Sequence, residues 1–216
     1  MTGCKGTETT TSNSSSDTES TAPASTTDKS ELEELYFARL DSAKMSFTQA
    51  DVKFMIGMIA HHAQALVMSR LAPENGASAS VQRLASRIIN AQKDEIATMQ
   101  QWLKDRNQPV PQFEIEGLNL MVEISGEPYT MYKKMNGVLS DEQLRELGEA
   151  KGKEFDRLFL KYMIEHHSGA VQMVTKLFGT DGAAQDEQAF RLASDIQVDQ
   201  RTEIERMRMM LNQLSD

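Results

Sequence analysis

The chain is poor in the residues that most often announce chemistry. Its 216 positions hold one cysteine, one tryptophan, five prolines and four histidines, and only 6% are aromatic. One cysteine excludes an internal disulfide and any cysteine-built zinc site. Lysine and arginine number 23 against 32 aspartates and glutamates, a net charge of −9. That balance lacks the clustered basic surface that nucleic acid demands, and it favours cations as partners. No apolar run is long enough to span a bilayer, so the folded part is expected to be soluble and to reach a membrane only through its N-terminus.

The first thirty residues lack large apolar side chains after Met1 and are rich in Ser and Thr, with Pro23 as their only proline. Such a segment buries too little apolar surface to offset its ordering entropy, so residues 1–30 are expected to be a disordered tether. Cys4, in the context T-G-C-K before this polar stretch, resembles the start of a mature bacterial lipoprotein, which would make it a lipid-attachment site. An incidental exposed thiol is the alternative.

What the chain does contain is a duplication. DVKFMIGMIAHHAQALVM (51–68) and DRLFLKYMIEHHSGAVQM (156–173) share D-x-x-F-x-x-x-M-I-x-H-H-x-x-A-x-x-M, and together they hold all four histidines. A second block follows each copy, LASRIINAQKDEIATMQQWL (84–103) and LASDIQVDQRTEIERMRMML (192–211), sharing L-A-S and Q-x-x-E-I-x-x-M. The text from residue 31 onward reads as helix. Thr48 with Asp51 marks an N-cap opening the first His-His helix, and Pro73, Asn75 and Gly76 break it. A helix then resumes near Ser78 or Ser80 and runs to Arg106. Residues 107–139, with Pro109, Pro111, Gly117, Gly126 and Pro128, form an irregular connector with room for an extended segment. Ser140 and Gln143 form a capping box whose helix is expected to continue past Gly148 and Gly152 into the second His-His helix. Phe178 to Gly182 close that helix, and the last one begins near Ala184. The predicted architecture is all-α: a four-helix bundle of two duplicated hairpins, about 48–106 and 140–214, within a folded region of 31–216.

On a helical wheel Asp51, Phe54, Met55, Met58, His61, His62, Ala65 and Met68 share one broad face, and Gln92 and Glu95 interrupt the apolar stripe of the facing helix. The second copy repeats this with Met163, His166, His167 and Met173 opposite Gln200, Glu203 and Met207. Buried polar groups need partners, so one reading is a His/Glu/Gln network that only fixes helix register. The other is metal binding, at two related sites or at one site built from both halves. Imidazole suits Cu, Zn, Ni and Fe, and thioether sulfur selects Cu(I). The candidate ligands are His61, His62, His166, His167, Met58, Met68, Met163, Met173, Glu95 and Glu203, with copper as Cu(I) or Cu(II) the favoured ion and another transition metal the alternative. Met121, Met131 and Met135 in the connector are candidates for a capture arm.

The His-His motifs and EFDRLFLKYMIEHHSGAVQM (154–173) resemble a family of bacterial ferritin-like proteins grouped as a domain of unknown function and built from tandem M-I-x-H-H helices. The resemblance runs from about Phe47 to Leu214 and departs at Ala63-Gln64-Ala65, where the second copy has Ser168-Gly169-Ala170. It implies a ferritin-like bundle in the cell envelope, periplasmic or surface-tethered, and copper binding as in some members. The leading expectation is copper sequestration or transfer, with metal ions and another copper-handling protein as partners. A ferritin-like oxidase or peroxidase using Glu95, Glu203, Asp51 and Asp156 is the enzymatic alternative, although no histidine has the Glu-x-x-His spacing of di-iron sites. A structural or interaction module without metal is the third.

Overall fold

The computed structural model describes residues 29–44 and 46–215. Cys4 and nearly all of the expected tether lie outside the described residues. Contacts divide the chain into two units at Ala38–Arg39. Most of α1 (Lys29–Lys44) belongs to the first, with Leu32, Leu35, Tyr36 and Phe37 exposed.

The second unit is helical apart from one small sheet. Its elements are α2 (Gln49–Glu74), α3 (Ala79–Asp105), β1 (Gln112–Glu116), β2 (Asn119–Ile124), β3 (Glu127–Pro128), a 3-10 turn (Met131–Lys134), α4 (Asp141–Glu149), α5 (Gly152–Phe178) and α6 (Glu187–Ser215). Helices α2 and α3 form one hairpin, α5 and α6 the other, and the two join through α2 against α5 and α3 against α6. Among the described residues no helix is long and apolar enough to cross a membrane.

The caps behave as the sequence predicts. Thr48 and Asp51 form a reciprocal capping box at the start of α2, Ser78 caps α3, and Ser140 and Gln143 form the box of α4. Two boundaries differ. Helix α2 runs through Pro73 to Glu74 before Gly76, at φ +67°, turns the chain. The helix opened at Ser140 does not reach the second His-His helix. It stops at Glu149, and α5 starts afresh at Gly152, φ +55°. The cause is Asn75, a buried side chain whose Nδ2 donates to the carbonyls of Leu147, Gly148 and Ala150 (3.1, 2.9 and 2.9 Å) while its Oδ1 accepts from Lys151 Nζ (2.7 Å). Carbonyls recruited this way leave the helical ladder.

The connector is ordered. Its β-strands form an antiparallel meander, β1-β2-β3, with Phe113 paired to Val122 and Ile115 to Leu120. The meander, the 3-10 turn and α4 all pack on α2. Helix α2 is therefore enclosed rather than amphipathic, and every residue from Gly57 to Ser69 is buried.

The repeated aspartates lock the hairpins together. Asp51, on α2, accepts from the Ala184 N–H in the loop between α5 and α6 (2.6 Å), and Asp156, on α5, accepts from the Ser78 N–H between α2 and α3 (3.1 and 3.2 Å). Each hairpin thus ties down the other's loop, which makes α2 and α5 antiparallel about a pseudo-two-fold axis. Nearby, buried Arg106 lies over the Trp102 ring and pairs with Asp186, whose Oδ1 also accepts from Trp102 Nε1 (2.9 Å) and the Ala189 N–H (2.8 Å).

Apolar side chains form two clusters. Along α3, α5 and α6 the first takes Val81 to Ile88, Phe155 to Met163 and Met207, and the second takes Ile96 to Leu103, Ala170 to Leu177 and Ala189 to Ile196. Gln92, Glu95, His166, His167, Gln200 and Glu203 fall between them. A polar layer crosses the middle of the bundle.

Candidate metal centre

All four imidazoles are fully buried in this layer. His167 Nε2 donates to Glu203 Oε2 at 2.7 Å, joining α5 to α6. In the other copy His62 Nε2 meets Glu95 Oε2 at the same 2.7 Å, joining α2 to α3, but without hydrogen-bond alignment. The remaining pair meets across the axis. The rings of His61 and His166 lie 3.9 Å apart between centroids, and His166 Nε2 donates to the His61 carbonyl (3.0 Å). The reciprocal bond is replaced: His61 Nε2 donates to the carbonyl of Asn136 in the connector (3.2 Å).

Carbonyl and carboxylate oxygens accept, so the bonds of His61, His166 and His167 hold the proton on Nε2 and leave Nδ1 with a lone pair. Each of the four Nδ1 atoms is buried without a hydrogen-bond partner, as are both amide atoms of Gln92 and the Oε1 of Gln200. Burial, and then the neighbouring His62, pull the His61 imidazole down to about 3, against the opposing pull of the Asn136 carbonyl. Burial, then His61, His167 and His62, hold His166 well below the ordinary histidine value. Both rings are therefore neutral at neutral pH, the form in which imidazole ligates metals.

Solvent reaches the layer's edge between α3 and α6. Glu95 and Glu203 keep 13% and 12% of their side-chain surface exposed. Beside them the Asp199 carboxyl is raised, first by partial burial and then by Glu95, Glu203 and Asp195. This acidic rim, with Arg87 Nη2 3.9 Å from Glu203 Oε1, forms the solvent edge of the imidazole layer.

Among the described residues no three His, Cys, Asp or Glu side chains converge tightly enough to enclose an ion as they stand. The donors nevertheless fit a metal in kind. Unsatisfied buried polar atoms are few in native proteins, and four unpartnered Nδ1 atoms in one layer, those of His61, His166 and His167 backed by an anchored Nε2–H, resemble the arrangement that metal-binding histidines adopt.

The predicted methionines divide. Met58, Met68 and Met163 are fully buried within the two apolar clusters, whereas Met173 is half-buried at the border of the second. Asp51 and Asp156 do not join the centre. They lie ten residues before His61 and His166, roughly 15 Å along the helix, and their oxygens are taken by backbone N–H groups. The carboxylate set required by the oxidase alternative is not assembled.

The profile of one protein family, a domain of unknown function designated DUF305, matches residues 51–211. The chain belongs to the DUF305 family. Solved DUF305 structures share its fold: a candidate secreted protein from Streptomyces coelicolor (26% identity, 77% of this chain and 92% of that one, TM-score 0.62) and a fragment from Deinococcus radiodurans (28%, 77% and 98%, 0.62). The fold is also similar to that of CopM, at 26% identity over 76% of this chain and 96% of CopM, with TM-scores of 0.54 to the Cu(I)-bound form and 0.56 to the Cu(II)-bound form; a silver-bound form matches equally. No curated protein matches the sequence.

Several residues that shape this DUF305 centre carry no chemical signature in the sequence. Gln64 locks the connector to α2, its Nε2 donating to the Leu139 carbonyl (3.0 Å) and its Oε1 accepting from the Leu139 N–H (2.7 Å). The Asn136–Gly137 turn then crosses α5. A Cβ at Gly137 would lie 2.7 and 2.8 Å from the carbonyls of Glu165 and His166, and a Cβ at Gly169 would overlap the Asn136 carbonyl. Only the mismatch between Gln64 and Gly169 at equivalent positions of the two copies hinted at this crossing.

Proposed function

We propose that this DUF305 protein is an extracytoplasmic metal carrier that sequesters or hands on copper through His61, His62, His166 and His167. The observation that carries the reading is the set of four buried Nδ1 atoms without partners. Neutral imidazole suits Cu(I) and Cu(II) alike, and CopM, of similar fold, has been solved with Cu(I), Cu(II) and silver. Glu95 and Glu203 act by orienting His62 and His167. Met58 and Met163, four residues before His62 and His167, are the thioethers nearest in sequence to the ring pairs. The ferritin-like bundle is the scaffold, and its two halves form one centre about the pseudo-two-fold axis.

A location in the cell envelope agrees with the secreted description of the Streptomyces relative and with the lipoprotein-like context of Cys4. The carrier would exchange copper with another copper-handling protein.

The test is calorimetric titration of the metal-free full chain with Cu(II), Ag(I) and Zn(II), beside the H61A/H62A/H166A/H167A variant checked for helicity by circular dichroism. Loss of Cu(II) binding in a helical variant is the expected result. Copper binding at the wild-type stoichiometry and affinity in that variant overturns the reading.

A further inference from the structure

The two copies differ one turn before the first histidine of each pair. The second copy has Tyr162, buried, with its hydroxyl donating to Glu146. The first has Gly57, also buried. Two thioethers occupy the space over Gly57: a Cβ there would meet Met135 Cε at 3.0 Å, Met135 Sδ at 3.6 Å and Met173 Cε at 3.4 Å. Met135 comes from the connector and directly precedes Asn136, whose carbonyl holds His61. Met173 comes from α5, seven residues after His166.

Three properties coincide at this pair. The methyl ends of two methionines from different elements both lie over Gly57. Both side chains are half-buried and within reach of solvent, whereas Met55, Met58, Met68, Met99, Met163 and Met207 are fully buried. And the pair adjoins the polar layer, since Gly57 lies one helical turn from His61. Of the other connector methionines, Met131 is 58% exposed and Met121 borders a shallow groove on the sheet with Gln112, Glu114 and Glu123.

Thioether sulfur is neutral at every pH and binds soft monovalent cations in preference to hard or divalent ones. We infer that Met135 and Met173 form a docking site for a soft monovalent cation, Cu(I) or Ag(I), on the connector side of the bundle, from which the ion passes to the imidazoles. Docking itself stands on the thioether pair, and onward transfer rests on the function proposed above. Tyr162 closes the equivalent position in the other half, so the described residues hold one such site.

The experiment uses the full chain under anaerobic conditions, with Cu(I) delivered from a competing chelator, Ag(I) in parallel and Cu(II) as the comparison. Wild type, M135L/M173L and the control M121L/M131L are compared by competition titration and by X-ray absorption at two equivalents of Cu(I), so that the methionine site is occupied as well as the imidazoles. Leucine keeps the apolar volume, so folding is retained. The expected result is a sulfur shell around Cu(I) in wild type that disappears in M135L/M173L. Cu(I) and Ag(I) affinity falls there at least tenfold while Cu(II) affinity holds within twofold, and the control behaves as wild type. A wild-type spectrum without sulfur, an unchanged sulfur shell in M135L/M173L, or its loss in the control each overturns the inference. Failure of the two readings is distinguishable. If the four-histidine variant keeps wild-type Cu(II) binding while M135L/M173L loses the sulfur shell, the docking site stands without the carrier centre. If only that variant loses copper, the centre stands without the docking site.

Discussion

Gln64 and Gly169 occupy equivalent positions of the two copies, and the difference between them lets one connector cross both His-His helices. Gln64 bonds Leu139 through both ends of its amide, and Gly169 gives the Asn136 carbonyl room to lie against α5. G169A would drive a methyl group into that carbonyl, with backbone on both sides and no flexible side chain to give way. We expect it to destabilise the protein by at least about 2 kcal/mol, in the range of overpacking changes. Q64L removes both bonds and should cost about 1–3 kcal/mol, because the Leu139 polar groups stay buried. Denaturant unfolding of the metal-free chain measures both; a G169A midpoint equal to wild type would contradict the crossing.

This crossing shows where sequence reading ends. The hairpins were legible because duplication, caps and apolar period all act locally: Thr48, Ser78 and Ser140 cap helices through groups at most three residues away. The pairing of the histidine helices with the Gln-x-x-Glu helices was legible too, since buried His and Glu on adjacent antiparallel helices must satisfy each other. Three things depended on contacts 70 or more residues away. Asn75 ends α4, Asn136 takes His61 from its symmetrical partner, and Asp51 and Asp156 serve loops rather than the centre. None of these residue types at its local position favours that role over an exposed one.

The aspartates give a sharp contrast with the oxidase alternative. D51N and D156N each weaken a carboxylate that accepts backbone N–H bonds across the hairpins, so each should lower stability by about 1–3 kcal/mol. Copper stoichiometry and affinity should stay at wild-type values, because neither carboxylate reaches the imidazole layer. Thermal unfolding and titration of the same samples separate the two effects; a metal-binding defect in a folded D51N protein would place Asp51 back in the centre.

Acid should unfold the metal-free protein earlier than its carboxylates alone require. His61 falls to about 3 in the folded state from an ordinary 6.5, and His166 is also lowered. Between those values the unfolded chain binds more protons than the folded one, so stability is complete above pH 6.5 and declines as pH falls toward 3. The decline should be on the order of a few kcal/mol. Urea midpoints at pH 7.5, 6, 5 and 4 trace it, and H61Q should flatten the curve. A wild-type midpoint independent of pH from 7.5 to 5 would mean that the imidazoles are not buried neutral.

The two carboxylates at the edge of the layer should be unequal. His167 donates to Glu203 in good geometry, while His62 only approaches Glu95. E203A therefore strands a buried donor that E95A does not, and it should cost about 1–3 kcal/mol more stability. On the proposed copper reading Glu203 orients His167 from the atom opposite Nδ1, and Glu95 lies 2.7 Å from the same atom of His62; loss of such a partner typically weakens metal binding about 10- to 100-fold. Copper competition titrations of E95A, E203A and the double variant, beside urea unfolding of each, read the two quantities independently. Reduced copper affinity with intact helicity in both single variants is the expected pattern. Full affinity in the double variant would confine Glu95 and Glu203 to holding the helices together.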